Sequence, residues 1–179
     1  MNKITESTHV GGAVPPLLRH KQYGAPSVFA PESLLREARR QKAIPDGQIP
    51  KICVLDPDGD IVRHLQATGH ARLNPYWACY HTALYDFTWD GVDFGVVGCA
   101  VGAAFAVLVA EEMFASGCEL LISVTSSGQI SSLAHAPPFF VLIERALRDE
   151  GASYHYLPPA DYAHLDARLG RLLDGAFPD

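Results

Sequence analysis

Short apolar runs bounded by turn residues alternate with amphipathic segments along most of this chain. Residues 51–55 and 119–124 are two such runs, and each predicts a buried strand. Residues 80–88, rich in aromatic residues and Thr, and residues 92–99 lie on either side of Asp90-Gly91. Asp-Gly between two such segments is a strong hairpin signal, so we predict a pair of antiparallel strands there.

Helical spacing of apolar residues appears in other segments. Pro31 suits the first turn of a helix, which we expect to end before the loop that begins at Pro45. A second helix is predicted after the tight turn at residues 56–60. A third is predicted over residues 102–116, and we expect it to bury most of its circumference. Residues 139–147 fit either a core helix or a long strand. This order of elements predicts an α/β sheet with helices on its faces.

Length and composition favour a single globular domain. A chain of 179 residues with 48% hydrophobic and 19% charged residues has an ordinary globular balance. Residues 1–30 are rich in Gly and Pro, so we expect an extended arm, followed by one domain over residues 31–179. The net charge of -6 provides no general field for polyanions, and no nucleic-acid partner is expected. The basic residues between Arg36 and Lys42 have the spacing of a solvated helix face.

Cysteine usage and the N-terminal sequence predict a reduced, cytoplasmic protein. The four cysteines form no CxxC pair, and no HExxH or similar spacing is present, so no metal site is expected. Residues 1–30 lack the order of a signal peptide. The longest apolar stretch, residues 96–110, is interrupted by glycines, so no membrane span is expected either.

Two polar turns follow predicted strands, and ligands of open α/β sheets bind beyond the carboxyl ends of strands. In the first turn, Gly59 would let the backbone approach an oxyanion, and Arg63 lies just beyond it. The alternative is a plain connection whose carboxylates cap a helix. The second turn, residues 125–128, has three successive hydroxyls and a glycine, which suit phosphate or sugar hydroxyls. Its alternative is a solvent-facing turn, although the preceding strand is too apolar for the surface.

Three other polar features are weaker candidates for chemistry. Adjacent carboxylates at Glu111 and Glu112 point in different directions on a helix, which favours a solvated face. His81 and His155 stand among aromatic residues, and each is more often a structural histidine than a catalyst.

Three segments together resemble the nucleoside phosphorylase superfamily, which includes purine nucleoside and uridine phosphorylases and related nucleosidases. They are residues 96–102 (VVGCAVG), 110–113 (AEEM) and 117–128 (GCELLISVTSSG), and residues 146–159 resemble a stretch of a bacterial branch. The resemblance implies a three-layer α/β/α sandwich around a mixed, partly barrel-like sheet. It also implies that residues 139–147 form a strand. The family continues well past Pro159, so we expect the fold to be incomplete on its C-terminal side.

The resemblance also implies roles for individual residues. Ser126 falls where the family places a hydroxyl on phosphate and ribose, and Ser127 and Gly128 fall where it lines the base pocket. Gly59 and Arg63 fall near the phosphate glycine and arginine of the first loop.

Two arginines of the family are missing, which bears on how phosphate is held. Ser123 stands where one of them is expected, and the other would fall near Tyr80 or His81. Loss of two guanidinium groups removes charge-assisted contacts to phosphate, so His81 is a candidate substitute and a candidate nucleoside contact.

The activity implied is phosphorolytic cleavage of the N-glycosidic bond of a purine or pyrimidine nucleoside by a homo-oligomer. Phosphate is the co-substrate, and no cofactor is expected. The residues provide no group that would protonate the base, so no catalytic residue is assigned. Two alternatives stay open: a nucleosidase that uses water, favoured by the missing arginines, and a catalytically inactive nucleoside-binding relative.

Overall fold

A mixed five-stranded sheet is the centre of the computed structural model, which describes residues 18–130 and 138–173. In chain order the elements are α1 (Pro31–Lys42), β1 (Ile52–Asp56), α2 (Asp60–Ala67), β2 (Arg72–Leu73), β3 (Tyr85–Trp89), β4 (Val92–Gly98), α3 (Ala103–Ala115), β5 (Leu120–Ser123), β6 (Arg145–Leu147), a 3-10 turn (Ser153–His155), β7 (Tyr162–His164) and α4 (Ala167–Leu173). The strand order is β2-β3-β4-β1-β5, and β6 and β7 form a separate two-stranded sheet.

Parallel and antiparallel pairing meet at β4. The central strand β1 runs parallel to both β4 and β5, whereas β3 pairs antiparallel with β4 and β2 antiparallel with β3. The predicted hairpin is confirmed: Asp90 and Gly91 both have positive φ, at 47° and 76°, as a two-residue hairpin turn requires. The predicted order of strand, helix, hairpin, helix and strand is therefore confirmed as a mixed α/β fold.

The core lies where β1 and β4 pack against α3. Cys53, Leu55 and Val97 on the strands form one buried cluster with Val109 and Met113 on α3. Consecutive side chains of a strand point to opposite faces, and the neighbour of Val97 in β4 is also fully buried. Both faces of the sheet are therefore covered at its centre.

Helix α1 packs against α3. Its Leu35 and Ala38 are buried against Ala78, and Ala115 of α3 packs against the same cluster. Pro31 occupies the first turn of α1, as predicted. None of the helices in the described ranges combines the length and apolarity needed to cross a bilayer.

Three predictions about burial or secondary structure are wrong. Strand β5 is present, but Leu120 and Ile122 are exposed because β5 is the last strand of the sheet in the described part of the chain. Helix α3 fully buries few of its side chains, because only one of its faces meets the core. Of residues 139–147, only Arg145–Leu147 form a strand. Residues 19–30 form no helix or strand, and residues 1–17 of the predicted arm lie outside the described part.

Candidate functional site

Three loops meet at one edge of the main sheet. Strands β1, β4 and β5 are parallel, so the residues that follow Asp56, Gly98 and Ser123 lie at the same end. Direct bonds join these loops: the Cys99 amide donates to the Asp56 carbonyl over 2.9 Å, and the Ser126 amide donates to Asp58 over 2.5 Å. The two polar turns that the sequence singles out are therefore in contact.

The first loop is shaped by a buried carboxylate. Asp56 accepts hydrogen bonds from the amides of Gly59 and Val62, each over 3.0 Å, so it fixes the turn and the first residues of α2. The Gly59 amide also reaches the Asp56 carbonyl over 2.9 Å. Capping by a carboxylate, the alternative considered for this turn, is thus present, and the Gly59 amide is already bonded within the loop.

Gly59 allows the first two loops to approach closely. Its φ is +74°, and a methyl group there would lie 2.7 Å from the Cys99 sulfur and 2.8 Å from a terminal nitrogen of Arg63. Cys99 has a positive φ of 63°, which is uncommon for a residue with a side chain. The close contact of loops at this edge therefore depends on Gly59 having no Cβ.

Arg63 lies at the same edge, but acceptors of its own loop already hold it. One of its terminal nitrogens donates to the Asp60 carboxylate and, over 2.9 Å, to the Asp58 carbonyl. The guanidinium is largely exposed, so solvent weakens this ion pair. A phosphate at this edge would compete with Asp60 for the charge of Arg63.

The second turn provides donors that hold an anionic group. The Ser126 amide and the Thr125 hydroxyl, the latter over 3.2 Å, both donate to one carboxylate oxygen of Asp58. The bond from the Ser126 amide holds the pKa of Asp58 below its usual value of 3.8. Ser127 and Gly128 follow immediately and are exposed. The turn thus binds a carboxylate at the position where the sequence predicts a phosphate.

His81 lies beside Phe105 in the first half of α3. Its ring meets the ring of Phe105 edge-on, with 6.2 Å between centroids, and its backbone amide donates to the Cys79 sulfur over 3.4 Å. The side chain of His81 is exposed. Phe105 connects it to a feature that the sequence did not indicate.

That feature is an open cleft of about 810 Å³ between the start of α3 and residues 150–156. Its floor is apolar, with Phe105 and Leu108 of α3, and its polar groups include Glu111, Glu150 and His155. Tyr156 closes one side, and its hydroxyl donates to Glu111 over 2.8 Å. Burial, with a further contribution from Glu111, raises the pKa of Tyr156 to about 12. The elements that build the cleft are distant in sequence, so no local pattern predicts it.

Arg148 holds the cleft wall in shape. It is only 5% exposed, and its guanidinium donates to the Ser153 hydroxyl and to the carbonyls of Leu157 and Pro158. The guanidinium also stacks on the ring of Tyr154, 4.3 Å from its centroid. A buried arginine with several acceptors orders the residues around it, so this wall of the cleft is preformed.

Glu112 contradicts the expectation of a solvated acidic face. Its side chain is fully buried, and neither carboxylate oxygen has a hydrogen-bond partner among the described residues. Its neighbour Glu111 is the half-exposed member of the pair and faces the cleft. Burial, and then the nearby Glu112 carboxyl, raise the pKa of the Cys79 thiol. Helical spacing points the two carboxylates in different directions, and tertiary packing decides which one is buried.

No protein-family model matches this chain, and no curated protein matches it significantly. Within residues 18–130 and 138–173, no group of three or more His, Cys, Asp and Glu side chains is arranged to hold a metal ion. What the site does is therefore inferred from its own residues.

Proposed function

We propose that this chain is a nucleoside phosphorylase-like protein that cleaves the N-glycosidic bond of a purine or pyrimidine nucleoside with phosphate. The proposal includes the three-layer sandwich and the homo-oligomer that the resemblance implies. The observation that carries it is the contact between Asp58 and the turn at Ser126. This contact provides an anion-binding turn at the carboxyl edge of a mixed α/β sheet, beside Arg63.

Phosphate binds in this proposal at the turn that now holds the Asp58 carboxylate. The Ser126 amide and the Thr125 hydroxyl already bind one anionic oxygen, so they have the geometry to bind another. Arg63 supplies positive charge when it exchanges Asp60 for phosphate. Gly59 contributes through its lack of a side chain, because this allows Arg63 and Cys99 to lie close to it. Its amide is not assigned to phosphate.

The nucleoside occupies the cleft beside α3. Its volume of about 810 Å³ lies in the range of small-molecule sites, and its apolar floor suits a planar base. Phe105 lines it, with His81 against the outer side of that ring. The loop between β4 and α3 connects the two subsites: Cys99 lies against Gly59, while Val101 and Gly102 line the cleft. Phosphate and sugar would therefore lie on neighbouring sides of one loop, with Ser127 and Gly128 following the phosphate turn.

The chemistry proposed is displacement at the anomeric carbon through an oxocarbenium-like transition state. The contribution of these residues is to hold phosphate and nucleoside in line and to keep the phosphate charge next to the reacting carbon. No described residue is assigned to protonate the departing base.

The contact between Asp58 and the Ser126 turn also favours a second candidate function. Asp58 occupies the anion-binding donors and repels a second anion, and Arg63 is neutralised by Asp60. A protein that binds a nucleoside and either hydrolyses it or leaves it intact needs no phosphate at this turn. Phosphate dependence separates the two candidates.

The experiment measures release of free base from a panel of nucleosides, with and without phosphate, together with nucleoside binding. We expect release that requires phosphate. Ser126→Pro removes the amide donor and should abolish the phosphate dependence. Ser126→Ala keeps the amide but removes the hydroxyl, so it should weaken the use of phosphate less than Ser126→Pro does. Release that ignores phosphate, or binding without turnover, would support the second candidate. Absence of both release and binding would overturn the two together.

A further inference from the structure

Within the described residues, strand β5 leaves a row of backbone groups without partners at the edge of the main sheet. The Leu120 amide donates to the Lys51 carbonyl over 3.0 Å, and the Val124 amide donates to the Leu55 carbonyl of β1 over 2.9 Å. Because backbone groups alternate in direction along a strand, the N–H and C=O groups of Leu121 and Ser123 point away from β1. In the part of the chain that is described, no strand pairs with that edge. An edge of this kind is a template for another strand.

The edge also lacks the features that usually protect such strands. Its sequence, Leu-Leu-Ile-Ser, contains no proline and no charged residue. Leu120 and Ile122 are 39% and 40% exposed. The nearest charges, Lys51 and Glu119, stand at the beginning of β5 and form an exposed ion pair over 2.8 Å.

A second unprotected apolar segment lies elsewhere in the same chain. Residues 140–143, Phe-Val-Leu-Ile, have side chains between 45% and 89% exposed, and they form neither helix nor strand. Aromatic and β-branched residues of this kind favour strands. Four consecutive exposed apolar side chains are an interaction surface rather than an ordinary loop.

Among the described residues of one copy, this segment is not paired with β5. It continues directly into β6, which pairs with β7, and the loop between these strands is bonded to α3 through Tyr156 and Glu111. A second copy of the chain presents both the free edge and the free segment, so two copies satisfy each other.

We propose that two copies of the chain associate by strand addition, with residues 140–143 of each pairing with Leu121 and Ser123 of the other. A reciprocal exchange of this kind closes as a two-fold dimer. Because the Glu144 carbonyl faces β7, the backbone groups of Val141, Ile143 and Arg145 face the free side. Antiparallel addition that sets Val141 opposite Ser123 and Ile143 opposite Leu121 therefore brings Arg145 opposite Glu119, at the beginning of β5. This pair of opposite charges favours the antiparallel direction.

The first test is the dimer dissociation constant, measured by sedimentation equilibrium. Ser123→Pro removes an outward N–H without touching the bonds to β1, because proline is tolerated at the free side of an edge strand. We expect it to weaken dimerisation by about tenfold or more, the scale of one or two lost hydrogen bonds. Ser123→Ala keeps the N–H and should dimerise like the unmodified chain. The far-UV circular dichroism and melting temperature of both variants establish that each remains folded.

The second test identifies the occupant by mixing variants. The double variant Val141→Asp/Ile143→Asp disrupts the donated segment and keeps the β5 edge intact. Ser123→Pro disrupts the edge and keeps the segment intact. We expect each variant alone to dimerise at least about tenfold more weakly than the unmodified chain, and the mixture to recover part of the affinity by forming heterodimers through the one intact contact. Leu172→Asp, an equally exposed leucine on α4, is the control and should not change association.

Other outcomes would overturn the proposal. A monomeric unmodified chain at all concentrations excludes the exchange. An unchanged dissociation constant in the Val141→Asp/Ile143→Asp variant would mean that edges pair with edges. An unchanged dissociation constant in Ser123→Pro would mean that segments pair with segments. None of these measurements uses nucleoside or phosphate, so the result is independent of the proposed activity.

Discussion

One carboxylate oxygen of Asp58 accepts the backbone N–H of Ser126 over 2.5 Å, which joins two loops 68 residues apart in the sequence. The same oxygen accepts the Thr125 hydroxyl. The protein thus holds one of its own anionic groups at the turn where an anion is proposed to bind. Asp58 is therefore both evidence for the donors and a competitor for them.

Replacement of Asp58 should strengthen phosphate binding. Asp58→Ala frees the Ser126 amide and the Thr125 hydroxyl and removes a negative charge, so we expect the dissociation constant for phosphate to fall about tenfold, the scale of one charge-assisted hydrogen bond. Titration calorimetry measures it. The control is Asp46→Ala, which removes an exposed carboxylate from the loop before β1, at the opposite end of the sheet. Equal affinity in all three proteins would contradict a phosphate site at Ser126.

Acidification should open the same contact. The bond from the Ser126 amide lowers the pKa of Asp58 from its usual value of 3.8, so folding favours the ionised carboxylate. The stabilisation is fully present above that usual value and is lost as the pH falls through the lowered pKa. The measurement is an NMR titration that follows the Ser126 amide. A Ser126 amide that titrates at or above the usual carboxyl pKa would contradict the contact.

Gly59→Ala should destabilise the fold more than Gly91→Ala. Both glycines have φ near +75°, at which an alanine costs about 1–2 kcal/mol. The new methyl at position 59 also meets the Cys99 sulfur at 2.7 Å, whereas nothing lies within 4 Å at position 91. Urea denaturation measures the free energy of unfolding of each variant. Adding Cys99→Ala to Gly59→Ala should recover part of the lost free energy of unfolding. Equal losses in Gly59→Ala and Gly91→Ala would mean that the protein relieves the contact with the Cys99 sulfur at little cost.

Glu112→Met should stabilise the protein. The carboxyl is fully buried, and neither of its oxygens has a hydrogen-bond partner in the described ranges. An unsatisfied buried polar group costs about 1–3 kcal/mol, and methionine has a similar volume without that cost. The free energy of unfolding should rise by about that amount. Glu111→Met removes the acceptor of the Tyr156 hydroxyl and should not stabilise. A loss of stability in Glu112→Met would indicate that the carboxyl is satisfied by a group such as water.

Local patterns were sufficient for β1, β3, β4 and β5 of the main sheet, but not for the two-residue strand β2. Ile52–Asp56 and Val92–Gly98 form strands because apolar runs between turn residues have few other stable conformations. Asp90-Gly91 adopts positive φ because these two residue types tolerate it. For the candidate site, the patterns located the two polar turns but not the cleft beside α3, whose walls come from distant segments.

The sequence by itself determined where β1, β3, β4, β5, the first three helices and the hairpin turn form, because those choices depend on side chains within a few residues of one another. Only the tertiary structure decided that β5 is an edge, that Glu112 is buried while Glu111 faces a cleft, and that Asp58 occupies the donors at Ser126. Each of these depends on which element packs beside which. An apolar run or an acidic pair has the same local preference whether or not a neighbour arrives to cover it.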